Sequence, residues 1–373
     1  MAFAHRSSYN CRVEKQTAAF TDLTIDGVRG LVSSLGEPAF RGNQLLAWVY
    51  KRLAMSFDEM TDLPLSLRQR LEAALPVHTL VPVREAVSRD GTVKVLFRMT
   101  DGNTIESALM LYAAGAGRPR TTVCISTQAG CAIGCPFCAT GAQGFQRNLS
   151  PGEMTDQVLF FARRVHDKTS ESRLEHITNI VFMGMGEPLA NYDALVQAID
   201  TLTSPFAFGT SARNITVSTA GMVPGIRRLG EEKRGVGLAI SLHAPDDVLR
   251  NRLVPLNKRY PLEELLPACR EYARKTGRRV SYEYTLFAGV NDSLARARAL
   301  ARTLAAMDAH VNLIPANPAC DGEFKPSPRS QVLAFERELR AAGINCTVRV
   351  PRGQDIEAGC GQLRARGLQW HDK

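Results

Sequence analysis

Apolar residues in the first part of the chain recur at helical spacing. The stretches GNQLLAWVYKRL (42–53) and SLRQRLEAAL (66–75) repeat apolar positions every three to four residues. We therefore predict an N-terminal tail over 1–21 and a small helical unit over 22–80. Five basic side chains of this unit are expected to be exposed, either as a solvated helix face or as phosphate contacts: Arg41, Lys51, Arg52, Arg68 and Arg70.

The period changes to two in the segment that follows. TVKVLFRM (92–99) alternates apolar and polar positions, and Asp-Gly pairs at 90–91 and 101–102 mark turns. We predict a hairpin or a three-stranded β linker over 81–116. AAGAGRPR (113–120) then forms a flexible junction that leads into the next unit. One face of the linker would carry the apolar residues Val93, Val95, Phe97 and Met99.

Apolar runs then alternate with helix-like stretches over 117–345. The six runs are TTVCIS, ITNIVFM, NITVST, GVGLAIS, RVSYEYTLF and HVNLIP. Six βα units predict an α/β fold in which a parallel sheet curls into an open, partial (β/α)6 barrel. Functional residues of such barrels lie at the carboxyl ends of the strands. A C-terminal extension over 346–373 follows and contains the strand-like run CTVRV.

Composition narrows the class of protein. The 373 residues are 45% hydrophobic, and no apolar run approaches the roughly 18 residues of a membrane span. The first twenty residues lack the apolar region of a signal peptide, so we expect a cytoplasmic protein without membrane contact. Thiols stay reduced in the cytoplasm, so the nine cysteines indicate metal binding or catalysis rather than disulfide bonds. The net charge of +9 favours a polyanionic partner such as nucleic acid, although the signal is weak alone.

Three of the cysteines form a compact motif in the loop after the first barrel strand. Cys131, Cys135 and Cys138 have the spacing C-x3-C-x2-C. Three thiolates suit an iron-sulfur cluster in which one iron lacks a protein ligand and can bind a small chelator. Structural zinc normally has four ligands. His166 or His176 would have to supply the fourth, and no paired spacing supports either.

With the aromatic Phe137 before its last cysteine, this motif resembles that of the radical SAM superfamily. GMGEP (184–188) is similar to the superfamily's Gly-Gly-Glu-Pro segment. Further stretches, from EPAFRGNQLLAWVY through KVLFRMTDGNTIES and CISTQAGC to DIEAGCGQL, resemble the RlmN/Cfr family, which methylates adenine in large-subunit ribosomal RNA. The similarity covers nearly the whole chain. The proline of GEPL favours the RlmN branch, since the Cfr segment has alanine there.

The resemblance implies two cofactors. A 4Fe-4S cluster would be bound by Cys131, Cys135 and Cys138, and two S-adenosylmethionine (SAM) molecules would be used per turnover. For Glu187, the alternative is a carboxylate at a helix N-terminus. The implied SAM-binding residues are Gly186, Glu187, Ser218, Ser241, Leu242, His243 and Asn317.

The resemblance also implies three catalytic residues. Cys360 would accept a methyl group from one SAM, and a radical made from a second would activate that methyl for addition to adenine. Glu106 would then take the proton from the modified carbon, and Cys124 would attack the sulfur of Cys360, releasing the product and leaving a disulfide. The plainer alternatives are buried cysteines for Cys124 and Cys360, and a solvated strand carboxylate for Glu106.

The expected product is 2-methyladenosine in the peptidyl transferase centre of 23S rRNA and, as in the RlmN branch, beside the anticodon of certain tRNAs. The expected partners are RNA and a low-potential electron donor of the flavodoxin or ferredoxin type, with the enzyme a monomer. Alternatives are Cfr-like methylation of carbon 8, another radical SAM reaction such as glycyl-radical activation, and a zinc-stabilised RNA-binding module.

Two departures from the family pattern stand near the site. Gly359 replaces the usual alanine and is expected to loosen the loop that carries Cys360, and Cys320 is an additional cysteine. The remaining cysteines, Cys11, Cys269 and Cys346, match no catalytic position and are expected to be ordinary packing or exposed thiols.

Overall fold

The computed structural model describes residues 18–112, 119–167, 176–317 and 324–364. Residues 1–17 of the predicted N-terminal tail, most of the junction at 113–120, and the cysteines Cys11 and Cys320 lie outside these ranges. The last tail residues, 18–21, are described, and Phe20 and Thr21 are buried against the helical unit. Elements are numbered in chain order.

The helical unit contains three helices, as the apolar spacing predicts. They are α1 (Ile25–Ser34), α2 (Phe40–Tyr50) and α3 (Leu65–Ala74). α1 begins where the Thr24 hydroxyl accepts a hydrogen bond from the Gly27 amide at 2.9 Å. Leu45, Leu67 and Leu71 are fully buried in the core that these helices share. The exact boundaries of the unit stay a prediction.

Three antiparallel strands form the β linker: β1 (Val81–Val87), β2 (Val93–Arg98) and β3 (Thr104–Tyr112). Gly91 (φ +82°) and Gly102 (φ +84°) adopt the left-handed conformation in the two turns, as the Asp-Gly pairs indicate. The structure extends the one-face prediction, because Lys94 and Leu96 on the opposite face of β2 are also buried. The reason is that the C-terminal segment covers that second face.

One continuous ten-stranded sheet runs through the linker and the barrel region, in the order β1-β2-β3-β4-β7-β8-β9-β10-β11-β12. Each predicted run contains a strand, and β12 adds a seventh parallel one from the predicted extension. The sheet is open at both edges, β1 and β12. The remaining strands are β4 (Arg120–Cys124), β5 (Gln128–Gly130), β6 (Phe145–Asn148), β7 (Asn179–Phe182), β8 (Ile215–Thr219), β9 (Gly237–Ser241), β10 (Val280–Leu286), β11 (Ala309–Pro315) and β12 (Asn345–Val348).

Helices follow the parallel strands and cover the sheet. In the first long one, Met154, Val158 and Phe161 are fully buried at spacings of four and three residues, which places them on one face against the sheet. The helices are α4 (Ala139–Ala142), α5 (Pro151–Asp167), α6 (Tyr192–Thr203), α7 (Val223–Glu232), α8 (Asp247–Leu253), α9 (Leu262–Thr276), α10 (Leu294–Leu304) and α11 (Arg329–Ala341).

A small hairpin, β5–β6, was not predicted from the sequence. Its strands approach closely at Gly130 (φ +74°), where a Cβ atom would collide with the Gly144 carbonyl oxygen. Arg147 of β6 fixes the hairpin by a two-pronged ion pair with Glu153 (2.7 and 2.8 Å) and by contact with Asp101. The hairpin thereby holds the start of the cysteine motif against the linker and α5.

No helix in the described ranges combines the length and apolar character needed to cross a lipid bilayer.

Candidate active site

The sequence-predicted site residues gather at the carboxyl edge of the parallel strands. Cys124 ends β4 and Ser241 ends β9, Ser218 is next to last in β8, and Asn317 lies two residues beyond β11. GMGEP begins two residues after the end of β7. Because the strands are parallel and adjacent, these ends lie along one edge, as predicted.

The three motif cysteines lie in the loop between β5 and α4, and all are partly accessible. The Cys138 amide donates to the Cys135 carbonyl at 3.0 Å. Position 141 requires glycine, because a Cβ atom there would lie 2.9 Å from the Cys135 carbonyl oxygen. The chain is therefore folded tightly on itself at the cysteine motif.

These thiols influence one another electrostatically. Burial raises the pKa of Cys135 well above its usual range, and the neighbouring Cys138 and Cys131 raise it further. Burial likewise raises the pKa of Cys131 to about 12. A bound cationic centre would favour the ionised form of such thiols, so the three cysteines are a donor set suited to one.

The donor set fits a cluster better than a zinc ion. Within the described ranges, no three His, Cys, Asp or Glu side chains converge so as to hold one metal ion. A 4Fe-4S cluster has several irons, so its thiolates need not converge on one point. His166 near the end of α5 and His176 come just before β7 in the chain, and so near the amino end of that strand, whereas the cysteine loop lies at the carboxyl edge. The zinc alternative therefore lacks its fourth ligand.

Glu187 is buried, and its carboxylate is held by backbone amides. Oε1 accepts from Leu189 at 3.1 Å and Oε2 from Ala220 at 2.7 Å. Burial raises the pKa of this carboxyl group. Through the contact with Leu189, Glu187 caps a short 3-10 helix. The alternative of a carboxylate at a helix N-terminus is therefore correct for its position. Gly186 (φ +100°) is equally constrained, since a Cβ would lie 2.6 Å from Gln128 Cβ.

His243 has an unusual backbone and a neutral ring. Its φ of +57° is rare for a residue other than glycine. Nδ1 accepts a hydrogen bond from the Thr285 amide at 3.0 Å, and burial, with the charge of Arg250, lowers the pKa of the ring to about 3. The ring packs edge-on against Phe137, with centroids 5.1 Å apart. Its contacts connect β9 to the cysteine loop.

Arg250 organises several of these strand ends, and sequence reasoning missed it. Its guanidinium is fully buried and donates to the carbonyls of Ala220 (2.6 Å), Ser241 (3.2 Å) and Leu242 (3.2 Å). It also contacts Asn257 at 2.6 Å, and burial lowers its pKa to about 10. Leu242 itself is fully buried, and its amide donates to the Glu283 carbonyl at 3.0 Å. Arginine in an ordinary helical run gives no sequence signal for this role.

The segment that carries Cys360 is docked over the site. The Asn317 side chain donates to the Cys360 carbonyl at 3.3 Å, the Ala139 amide to Gly361 at 2.8 Å, and the Thr140 hydroxyl to Leu363 at 2.5 Å. The segment therefore contacts the loop that holds the motif cysteines.

Cys124 and Cys360 are both free thiols, like every cysteine of the described residues. Cys124 is buried beside Ala358, and this burial, with the nearby Cys360, raises its pKa to about 12. Cys360 is exposed, and the protein surrounding it raises its pKa. Cys124 is buried, as its plainer alternative states. The alternative of a buried Cys360 is wrong, because Cys360 is exposed.

The solvated-carboxylate alternative for Glu106 is also wrong. This side chain is fully buried on β3, 3.1 Å from the Lys94 ammonium, and it accepts a hydrogen bond from the Arg364 amide at 2.9 Å. Gly359 corrects a further expectation. It does not loosen the loop but is buried in close contact with Asn317.

The remaining predictions have mixed outcomes. Cys269 and Cys346 are buried, as expected for packing residues. Of the five basic residues on the helical unit, three are exposed, whereas Arg41 and Arg68 are half-buried. All five contact other groups of the protein. The pairs are Arg41 with Gln44, Lys51 with the Pro205 carbonyl, Arg52 with Asp62, Arg68 with the Asp58 carbonyl, and Arg70 with Glu37.

Comparison with known proteins gives matches across the chain. Residues 19–77 match the ribosomal RNA large subunit methyltransferase N-terminal domain, and 125–300 match the radical SAM superfamily. A probable dual-specificity RNA methyltransferase RlmN from Pelotomaculum thermopropionicum is 47% identical, over 92% of this chain and 91% of the relative. Its namesake from Frankia casuarinae is 51% identical, over 92% and 82%. The crystal structure of a radical SAM methyltransferase from Sphaerobacter thermophilus superposes with a TM-score of 0.89 and 49% identity, over 93% of this chain and 99% of that one.

Proposed function

Because the chain belongs to the RlmN family of radical SAM RNA methyltransferases, we propose that it methylates carbon 2 of an adenosine in 23S rRNA. The observation that carries the proposal is the docking of the Cys360 segment on the loop of the three motif cysteines, with Cys124 packed beside it. We extend the proposal to the adenosine beside the anticodon of tRNA, since the relatives are named as dual-specificity enzymes.

The cofactors would occupy the carboxyl edge of the sheet. Cys131, Cys135 and Cys138 would hold a 4Fe-4S cluster, and the implied pocket from Gly186 to Asn317 would hold SAM. When bound, these groups supply the methyl group and the one-electron chemistry, with two SAM molecules used per turnover and electrons from a flavodoxin- or ferredoxin-type donor. The accessible thiols and the amide-held carboxylate of Glu187 support this assignment.

Cys360 would carry the methyl carbon as a thioether on its sulfur. Its exposure supports this role, because an RNA base can reach it. An unperturbed cysteine is mostly a thiol at neutral pH, so the proton must leave as the sulfur–carbon bond forms.

Glu106 and Cys124 would complete the reaction after Cys360 has become linked to the adenine ring. The radical adduct must lose one electron, which the one-electron centre held by the motif cysteines would accept, and Glu106 takes the proton from carbon 2. The Cys124 sulfur then bonds to the Cys360 sulfur while the sulfur–carbon bond breaks, and the carbon keeps the electron pair and takes up a proton to become the methyl group. The resulting disulfide requires a thiol reductant before the next turnover.

The RNA would be bound through its phosphates and present a turned-out base. The net charge of +9 and the separate helical unit support phosphate contacts. An adenine inside a helix cannot reach a thiol at the strand ends, so the base must leave its stack. Carbon-8 methylation of the Cfr type is not favoured, because the two relatives named above, each matching over 92% of this chain, are named RlmN.

Replacement of Cys124 tests the proposal. Cys124→Ala should accumulate protein covalently bound to RNA, because no thiol remains to break the sulfur–carbon bond. Cys360→Ala should give neither adduct nor product. Cys346→Ala is the matched control, because Cys346 is buried and has no role in the proposed reaction. This variant should release RNA as the wild type does. Denaturing gels and mass spectrometry of protein from cells making RNA would detect the adduct.

Free Cys124→Ala protein from active cells would contradict the resolving role. Methylation by Cys360→Ala at the wild-type rate would contradict the carrier role, and with it this route to the product.

A further inference from the structure

Lys94 is a buried charged residue that the proposed reaction does not yet use. It lies on β2, on the face that the two-residue period assigns to polar positions, yet only 2% of its side chain is exposed. Leu96 lies opposite Glu106 in the antiparallel pair, and Lys94 lies opposite Ala108. Lys94 and Glu106 are therefore diagonal neighbours on one face, close enough for their side chains to meet.

The two side chains form an ion pair shielded from water. Lys94 Nζ is 3.1 Å from Glu106 Oε1, and the Glu106 side chain has no exposed surface. Burying two charges is costly, and apolar residues of similar size often serve stability equally well or better. Stability alone is thus a weak reason for this pair, whereas a carboxylate that must stay ionised in a dry site needs such a cation.

The pair also connects the linker to the segment that carries Cys360. Lys94 Nζ donates to the Glu357 carbonyl at 3.2 Å, and Glu106 Oε2 accepts from the Arg364 amide at 2.9 Å. The side chains of Arg364 and Glu357 pair with each other at 3.3 Å. Glu106 is therefore fixed relative to the backbone on both sides of Cys360.

We propose that Lys94 is a positioning residue for the proton transfer that precedes release of the RNA. It keeps the Glu106 carboxylate ionised and directed toward the space near Cys360. The transfer moves one proton from the ring carbon to Glu106 while the electron pair of the carbon–hydrogen bond stays in the ring, so no oxidant or reductant is consumed. The inference rests on the proposed function, in which Glu106 is the proton acceptor.

The test separates three events in the reconstituted enzyme: methylation of Cys360, formation of the RNA adduct, and its release. Lys94→Met removes the charge at similar size, and Lys94→Gln removes the charge but can still donate a hydrogen bond. Both should form methylated Cys360 and adduct, and should release RNA about tenfold or more slowly, because a general base that is not ionised is lost to catalysis. Lys94→Arg should restore most of the release rate.

Ser88→Ala is the matched control for docking. Ser88 donates to Asp355 at 2.5 Å and ties the linker to the same segment without touching Glu106. This variant should not accumulate adduct. Intact-protein mass spectrometry measures the methyl group and the adduct, and Lys94→Gln serves if Lys94→Met does not fold.

Release at the wild-type rate in either neutral variant would overturn the inference. Loss of Cys360 methylation together with the adduct in both neutral variants would mean that Lys94 only supports the fold. If the wild type forms neither methylated Cys360 nor adduct, the proposed function fails first, and the role of Lys94 fails with it.

Discussion

Single residues set how closely the Cys360 segment approaches the barrel, and Gly359 is the clearest case. A Cβ atom at this position would lie 2.8 Å from both Asn317 Cγ and Gln362 Oε1, closer than real Cβ contacts permit. The Gly359 amide donates to Gln362 Oε1 at 3.0 Å, and Asn317 bonds the next carbonyl in the chain. The absence of a side chain thus tightens the docked segment.

Gly359→Ala should therefore loosen the docking, at a cost of about 1–3 kcal/mol from overpacking. Hydrogen–deuterium exchange of residues 353–364 should become faster, because the amides there lose their packed environment. Gly30→Ala is the control, since Gly30 is exposed within α1 and no atom lies within 4 Å of its Cβ position. It should leave exchange in that segment unchanged. Unchanged exchange in Gly359→Ala would contradict the packing account.

Elements differ in how far the sequence predicts them. The six apolar runs have the length and spacing of βα units, and parallel strands place their carboxyl ends at one edge, so the region of the site follows from the pattern. The hairpin β5–β6 was missed because its strands have only three and four residues, too few to show a period.

The buried polar contacts could not be predicted from the hydrophobic periodicity either. Glu106 meets the Arg364 amide 258 residues away, and Arg250 meets the Ala220 carbonyl 30 residues away. Periodicity assigns Lys94 to a solvent-exposed face because the pattern depends only on the residues of the strand. It contains no information on the C-terminal segment that covers this face in the folded protein. Such partners are fixed by the assembled fold. For the same reason the roles of Cys124, Cys360 and Glu106 came from family resemblance rather than from periodicity.

At the scale of the whole molecule, one histidine joins the helical unit to the barrel. His78 Nδ1 lies 2.7 Å from Asp156 Oδ1 on α5, and Nε2 lies 3.0 Å from the Ala54 carbonyl. Both nitrogens face acceptors, which suits the doubly protonated, charged ring. Burial lowers the pKa of His78, but the charge and hydrogen bond of Asp156 outweigh this and raise it above 6.5.

This joint should make stability depend on pH. Because the pKa is raised in the folded state, the stabilisation is fully present below pH 6.5 and is lost as the pH rises through the folded-state value. The free energy of unfolding, from urea titrations between pH 6 and 8.5, should fall more in the wild type than in His78→Gln. His166→Gln, whose histidine is 76% exposed, should behave as the wild type. Identical pH dependence in His78→Gln and wild type would contradict the charged joint.

The central claim is that these residues together methylate carbon 2 of adenine in RNA. The most direct measurement is chromatography with mass spectrometry of nucleosides from a 23S rRNA fragment incubated, without oxygen, with reconstituted enzyme, SAM and a low-potential reductant. The account predicts 2-methyladenosine, and none with Cys360→Ala. Product that is mainly 8-methyladenosine, or no methyladenosine from enzyme that carries an intact cluster, would contradict it.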